Sequence, residues 1–377
     1  MKRRHLKAQV WTSALLMLTG AALLGGCGLL ATRTPAGTMT VVTSGFNGPQ
    51  GVLALDDGSV LVSEDGLGGS TSFTAPGLDG KAAPATFGDS ARLVKVMPDG
   101  TQSVLASLLS VDPPGVGPTG GGKIARIGSA IYVDDGIWNA GYSVARPARA
   151  ASVLKVSGGA ASELSNLYAF EVSNNPDGVP AAQGGIDSHP YGLTAGPDGQ
   201  LYVADAGANA LLKVDPATGT VTLVAKLSGL TSTKEQAVPT GVTFGKDGNA
   251  YVSLLSGFPF PAGASKVVRV VNGVASDFAT GMTMLTSVAR GPDDLLYVTS
   301  FAAVDITQPN PYLPGTGQLI RLKADGSREV LKTALNYPTA IDFNAQGDAY
   351  VTVAGYNRGA VGSGQLVRYT KLTQFRP

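Results

Sequence analysis

From residue 38 onward the chain is written in short runs where apolar and polar residues alternate, separated by turns rich in Asp, Asn and Gly. Arg92-Leu93-Val94-Lys95-Val96, Leu211-Leu212-Lys213-Val214, Lys266-Val267-Val268-Arg269-Val270 and Gln318-Leu319-Ile320-Arg321-Leu322 are such runs. A period of two is the signature of a strand with one face buried. Pro98-Asp99-Gly100 and Ala324-Asp325-Gly326 supply the positive φ that a tight hairpin needs.

One theme recurs six times: a Pro-x-small start, a short strand, a turn, then an apolar strand carrying Tyr-Val or its equivalent. The copies run Pro49-Gln50-Gly51 to Leu61-Val62, Pro118-Thr119-Gly120 to Tyr132-Val133, Pro190-Tyr191-Gly192 to Tyr202-Val203, Pro239-Thr240-Gly241 to Tyr251-Val252, Leu285-Thr286-Ser287 to Tyr297-Val298 and Pro338-Thr339-Ala340 to Tyr350-Val351. The spacing from first position to Tyr or Leu is 12 in five copies and 14 in the second. With a third and a fourth strand after each pair, the pattern predicts an all-β, six-bladed β-propeller over residues 38–377, four antiparallel strands per blade. The sixth copy stops after its third strand, Gln365 to Tyr369, and the chain opens with an orphan strand, Met39 to Thr43. That first strand is expected to complete the last blade, which removes an exposed edge.

The A-B and C-D connections are short turns. The long stretches, including Asp65 to Ala91, Gly136 to Ala151, Asn166 to His189, Leu255 to Ser265 and Phe301 to Gly317, are all B-C or D-A connections. Because strands alternate in direction, these emerge on one face, and loops on a rigid scaffold carry function.

Residues 1–26 read as a lipoprotein signal peptide: Lys2, Arg3, Arg4 and Lys7, then an apolar run from Val10 to Leu24, then Leu24-Gly25-Gly26-Cys27, which resembles a bacterial lipobox. The run is shorter than the roughly 20 residues of a spanning helix. Cys27 is the sole cysteine, so lipidation at Cys27 with 27–37 as a leash is expected, and no disulfide can form within the chain. The protein is then exported and held at the cell envelope, the membrane being a partner through lipid. Losing the four basic leader residues takes the formal net charge from +1 to −3. That, with no basic run elsewhere, argues against nucleic acid.

Without the leader His5 is gone and His189 is the one histidine left, which excludes paired-histidine zinc sites and Cys-His chemistry. There is no Gly-x-Ser-x-Gly elbow. His189, just before an innermost strand, is the candidate general base; a bond to a neighbour is the other reading. Glu64, Asp135 and Asp205 stand three residues beyond the Tyr or Leu position in the first three copies. With Asn209, and Asp187 or Asp177 nearby, they form a candidate Ca²⁺ or Mg²⁺ site. Alternatively each acid caps its own turn through backbone N–H groups. Tyr191, Trp138, Phe258, Phe260 and Tyr312 form a candidate aromatic rim for a small molecule or protein.

Asn175-Pro176-Asp177-Gly178, Asp187-Ser188-His189-Pro190-Tyr191-Gly192-Leu193, Val203-Ala204-Asp205-Ala206-Gly207-Ala208-Asn209 and Ser256-Gly257-Phe258-Pro259-Phe260-Pro261 ahead of Val268-Arg269-Val270 resemble the ScyD/ScyE family of exported bacterial propellers. Members commonly carry Asn at the position of His189. More distantly the blades resemble NHL repeats, gluconolactonase-like propellers and virginiamycin B lyase. The gluconolactonase resemblance implies a channel metal held by a Glu, Asn and Asp set, here Glu64, Asn209 and Asp205. The lyase resemblance implies two histidines and a glutamate with Mg²⁺, from which this chain departs. The expected function is a tethered ligand- or protein-binding module, with a divalent-metal lactonase or lyase as the alternative.

Overall fold

The computed structural model describes residues 35–77, 80–181, 185–230, 236–356 and 361–377, so the leader and Cys27 lie outside the described residues. The chain is all-β apart from short helices, and it has a propeller fold. Its strands fall into six main sheets among the described residues. The first holds Pro49–Ala54, Val60–Glu64, Ala82–Val96 and Gln102–Asp112, with Thr71–Pro76 added on Ala82–Val96; the second holds Gly121–Ile127, Ala130–Asp135, Ser152–Ser157 and Ala160–Asn166. The third begins at Pro190–Ala195, the fourth at Pro239–Phe244, the fifth at Leu285–Arg290 and the sixth at Ala340–Phe343.

The first strand of each sheet packs on the first strands of its neighbours, and Pro49–Ala54 packs on Ala340–Phe343. Apolar cores lie between successive sheets. One joins the sixth sheet to the first, with Phe46, Tyr350 and Leu366 against Val52, Val62 and Val94. The strand Met39–Phe46 pairs antiparallel with Gly364–Tyr369, Met39 opposite Tyr369 and Phe46 opposite Gly364. The first and last strands of the described residues thus share one sheet.

In five sheets the pairing of the first two strands slips, between Pro49 and Gly51, Gly121 and Ile124, Pro190 and Gly192, Pro239 and Gly241, and Leu285 and Ser287. Such bulges re-aim the residue between. Thr240 and Thr286 there donate to the carbonyls of Leu285 (2.7 Å) and Pro338 (2.9 Å), and Thr339 donates to that of Pro49 (2.5 Å), linking the fourth sheet to the fifth, the fifth to the residues entering the sixth, and those residues to the first.

Three features differ from the sequence pattern. Asp65 to Ala91 is largely a hairpin, Thr71–Pro76 on Ala82–Val96, because Phe73, Ala75 and Ala85 alternate inward. The stretch Asn166 to His189 contains a helix, Leu167–Asn174, capped by the Asn166 side chain accepting from Ala169 N and closed at Asn175 in the left-handed region. In the second sheet the inner strand starts at Gly121, not Pro118, so the extra length lies ahead of the strand, and its wider bulge sets Gly122 and Lys123 together opposite Asp134.

Candidate functional site

On the loop-rich face a cavity of about 210 Å³ opens between the first strands of the sheets and their long connections. One wall is polar and comes from the bulges and the loops behind them: Gln50, Asp65, Thr119, His189 and Tyr191. The other is aromatic: Phe260, Phe301, Tyr312 and Tyr356, from B-C loops of the last three sheets. Phe301 meets Tyr312 and Tyr356 edge-on at 5.8 and 6.1 Å, and Tyr312 meets Tyr356 at 5.1 Å, so the wall is one interlocked cluster.

The polar wall is wired across the ring. Gln50 Nε2 donates to Asp65 Oδ2 (2.6 Å) and to Gly355 O (3.1 Å), while its Oε1 accepts from the Tyr191 hydroxyl (2.6 Å). Asp65 Oδ1 accepts from Gly120 N at 3.2 Å. Below, the buried Lys123 ammonium donates to Gln50 O (2.8 Å) and Thr339 O (3.1 Å) and lies 4.5 Å from the centre of the Tyr191 ring. His189 meets Tyr191 edge-on at 5.4 Å.

Burial sets the charge state of this wall. It pushes Asp65 up to about 8, against the bonds from Gln50 and Gly120. It also pulls His189 down to about 4, helped by the Lys123 charge. The Lys123 ammonium is lowered to about 8, and Asp134 beside it is raised well above the carboxylate range, both through desolvation. Both Asp134 carboxylate oxygens are buried without a hydrogen-bond partner. A Cβ on Gly122 would collide with Asp134 Oδ1, so the wider bulge needs glycine there.

Glu64, Asp135 and Asp205 occupy one register position, opposite Pro49, Gly121 and Pro190. Each is engaged by donors of the chain itself. Glu64 accepts from Asn47 N at 2.9 Å and is ion-paired with Arg92. Asp135 Oδ2 accepts from Leu109 N at 3.0 Å. Asp205 accepts from Ser188 Oγ (2.6 Å) and from the backbone N–H groups of His189 (2.8 Å), Gly207 and Ala208. Asn209 Oδ1 accepts from Ala237 N and Val238 N at 2.9 and 3.0 Å. Asp205, through Gly207 and Ala208, caps its own turn; the donors to Glu64, Asp135 and Asn209 come from more distant segments. Among the described residues no three His, Cys, Asp or Glu side chains stand together in ligand geometry.

Of the aromatic candidates, Tyr191, Phe260 and Tyr312 line the cavity, and Phe258 is 69% exposed beside Phe260. Trp138 stands elsewhere: it is 2% exposed and packed among Phe73, Phe87 and Tyr142, the core of the projecting hairpin. Gln50, Asp65 and Lys123 were not candidates from sequence.

On the face of the short turns a wider depression of about 520 Å³ is bounded by A-B turn residues such as Gly196, Pro197, Gly291, Pro292 and Ala345. It lacks a comparable cluster of aromatic rings, having Phe244 and Phe343 alone. The loop-rich mouth is therefore the better-furnished site.

No family model and no curated protein matches the chain. Solved structures that resemble it are β-propellers. A protein of unknown function from Bacteroides thetaiotaomicron aligns with a TM-score of 0.53 at 14% identity over 88% of this chain and 75% of that one. The PQQ-bound aldose sugar dehydrogenase of Streptomyces coelicolor aligns with a TM-score of 0.52 at 14% identity over 89% of this chain and 98% of that one. Virginiamycin B lyase from Staphylococcus aureus lies further off, with a TM-score of 0.48 at 14% identity over 88% and 98%. Likeness at this identity establishes the fold alone.

Proposed function

We propose that the six sheets are the blades of a closed six-bladed propeller, held at the cell envelope through lipid on Cys27, and that its loop-rich mouth binds a small neutral ring-shaped ligand. The carrying observation is the two-sided cavity: Gln50, Asp65, His189 and Tyr191 face Phe260, Phe301, Tyr312 and Tyr356 across about 210 Å³. That volume is below the roughly 300 Å³ at which drug-sized pockets begin, so the ligand has the size of a monosaccharide or a lactone. Its ring stacks on the aromatic wall and its hydroxyl or carbonyl edge meets the polar one.

Neutrality follows from the wall. Near pH 7 Asp65 is largely protonated and His189 neutral, and the Lys123 ammonium is already held by two carbonyls. Binding is favoured over lactonase or lyase chemistry because His189, the candidate base, sits at about 4, far from the near-neutral value that suits proton abstraction.

The test is a thermal-shift panel of hexoses and aldonolactones against their phosphorylated or carboxylated counterparts. Neutral rings should raise Tm and the charged analogues should not. If only charged ligands act, or none does, this reading fails.

A further inference from the structure

A second concentration of chemistry lies on the loop-rich face, beside the cavity and not in it. The helix Leu167–Asn174 packs on the short strand Asp187–Ser188, which runs directly into His189. Glu171, on that helix, is 0% exposed, and both its carboxylate oxygens lack a hydrogen-bond partner. Burial raises its proton affinity, and the charges of Asp205, Asp177 and Asp187 nearby add to the rise. None of these four acids takes part in an ion pair among the described residues.

The four differ in what they have left to offer. Asp205 accepts four protein donors. Asp177 accepts from Val179 N (2.9 Å) and from Asn209 Nδ2 (3.0 Å). Glu171 has none, and Asp187, half-buried, has no side-chain donor among the described residues. A buried carboxylate with neither donor nor counter-ion costs several kcal/mol, and a bound cation removes that cost.

We propose that Glu171 and Asp187 are the carboxylate ligands of a Ca²⁺ site, with Asp177 and Asp205 adding charge from behind them. Two carboxylates completed by neutral oxygens are compatible with the finding that no three acids converge. An all-oxygen set favours hard cations, and the larger, geometrically tolerant ion suits ligands drawn from a helix and a separate strand. The ion would fasten the helix to the strand that carries His189 into the mouth. Neither ligand lines the cavity, so this site stands apart from the ligand reading above.

The experiment is calorimetric titration of CaCl₂ into the EDTA-treated, dialysed protein, with Tm read in EDTA and in Ca²⁺. One ion per chain is expected, with a Ca²⁺-dependent rise in Tm. Glu171→Gln should weaken binding by roughly tenfold or more and abolish the rise, while its Tm in EDTA stays at or above wild type, because a neutral amide relieves the buried charge. Asp187→Asn supplies the same reading should Glu171→Gln fail to fold. Wild-type protein that takes up no Ca²⁺ at millimolar concentration, or a folded variant that binds it like wild type, would overturn the proposal.

Discussion

The Tyr191 hydroxyl donates to Gln50 Oε1 at 2.6 Å although the two residues stand 141 positions apart. Both occupy the bulge position of a first strand, one in the third sheet and one in the first. The bond ties the first sheet to the third, whose first strands both pack on that of the second. It also fixes the Gln50 amide, whose other end holds Asp65. A slip in strand register thereby becomes the polar wall of a cavity.

Tyr191→Phe removes that donor and leaves Gln50 Oε1 buried without it. The expected cost is about 1 kcal/mol, read as a lower denaturation midpoint at unchanged m-value. Ligand affinity should fall with it, because the amide that orients Asp65 is then free to turn.

Asp65 carries a pH signature. Its folded pKa, about 8, lies above the unfolded carboxylate value of roughly 3.9, so between these limits the folded state holds the proton more tightly. The stability that Asp65 contributes is therefore whole below about pH 4 and is lost as the pH rises toward 8, at about 1.4 kcal/mol per unit. Asp65→Asn cannot titrate. Relative to wild type it should become more stable between pH 5 and pH 8 in chemical denaturation. A constant difference across that range would count against a protonated Asp65.

The joining of the chain ends can be tested at Phe46. Its side chain is fully buried between the sixth and first sheets, so Phe46→Ala should cost about 3–4 kcal/mol. Val41, exposed on the same strand, should tolerate alanine with a change under about 0.5 kcal/mol. Comparable small effects at both positions would mean that the first strand is a dispensable edge.

The frame was legible because repetition amplifies a weak local pattern: five copies of one spacing and a sixth close to it placed the inner strands to within three residues, and the orphan first strand was placed beside Gly364–Tyr369. The equal register of Glu64, Asp135 and Asp205 was legible for the same reason. What those acids do was left open by spacing alone, since a carboxylate at a strand end can cap a turn or hold a metal. Trp138 marks another boundary. An aromatic in a long connection looks like a binding residue unless the connection folds on itself, and Phe73 and Phe87 turn this one into a small core. The helix at Leu167–Asn174 has a weak apolar periodicity and stands by its Asn166 cap and the packing of Leu167. Glu171 and Lys123 could not be singled out beforehand, because what distinguishes each is burial, which periodicity does not report.

The central claim is that the ligand enters the loop-rich mouth and not the opposite end of the ring. Val116 is an exposed residue at the cavity's edge, and Ala345 an exposed residue in the opposite depression. Titration calorimetry with the best neutral ring ligand from the thermal-shift panel, on wild type, Val116→Trp and Ala345→Trp, separates the two ends. Loss of binding in Val116→Trp alone, at unchanged Tm, is the predicted result; loss in Ala345→Trp with Val116→Trp unaffected would contradict it.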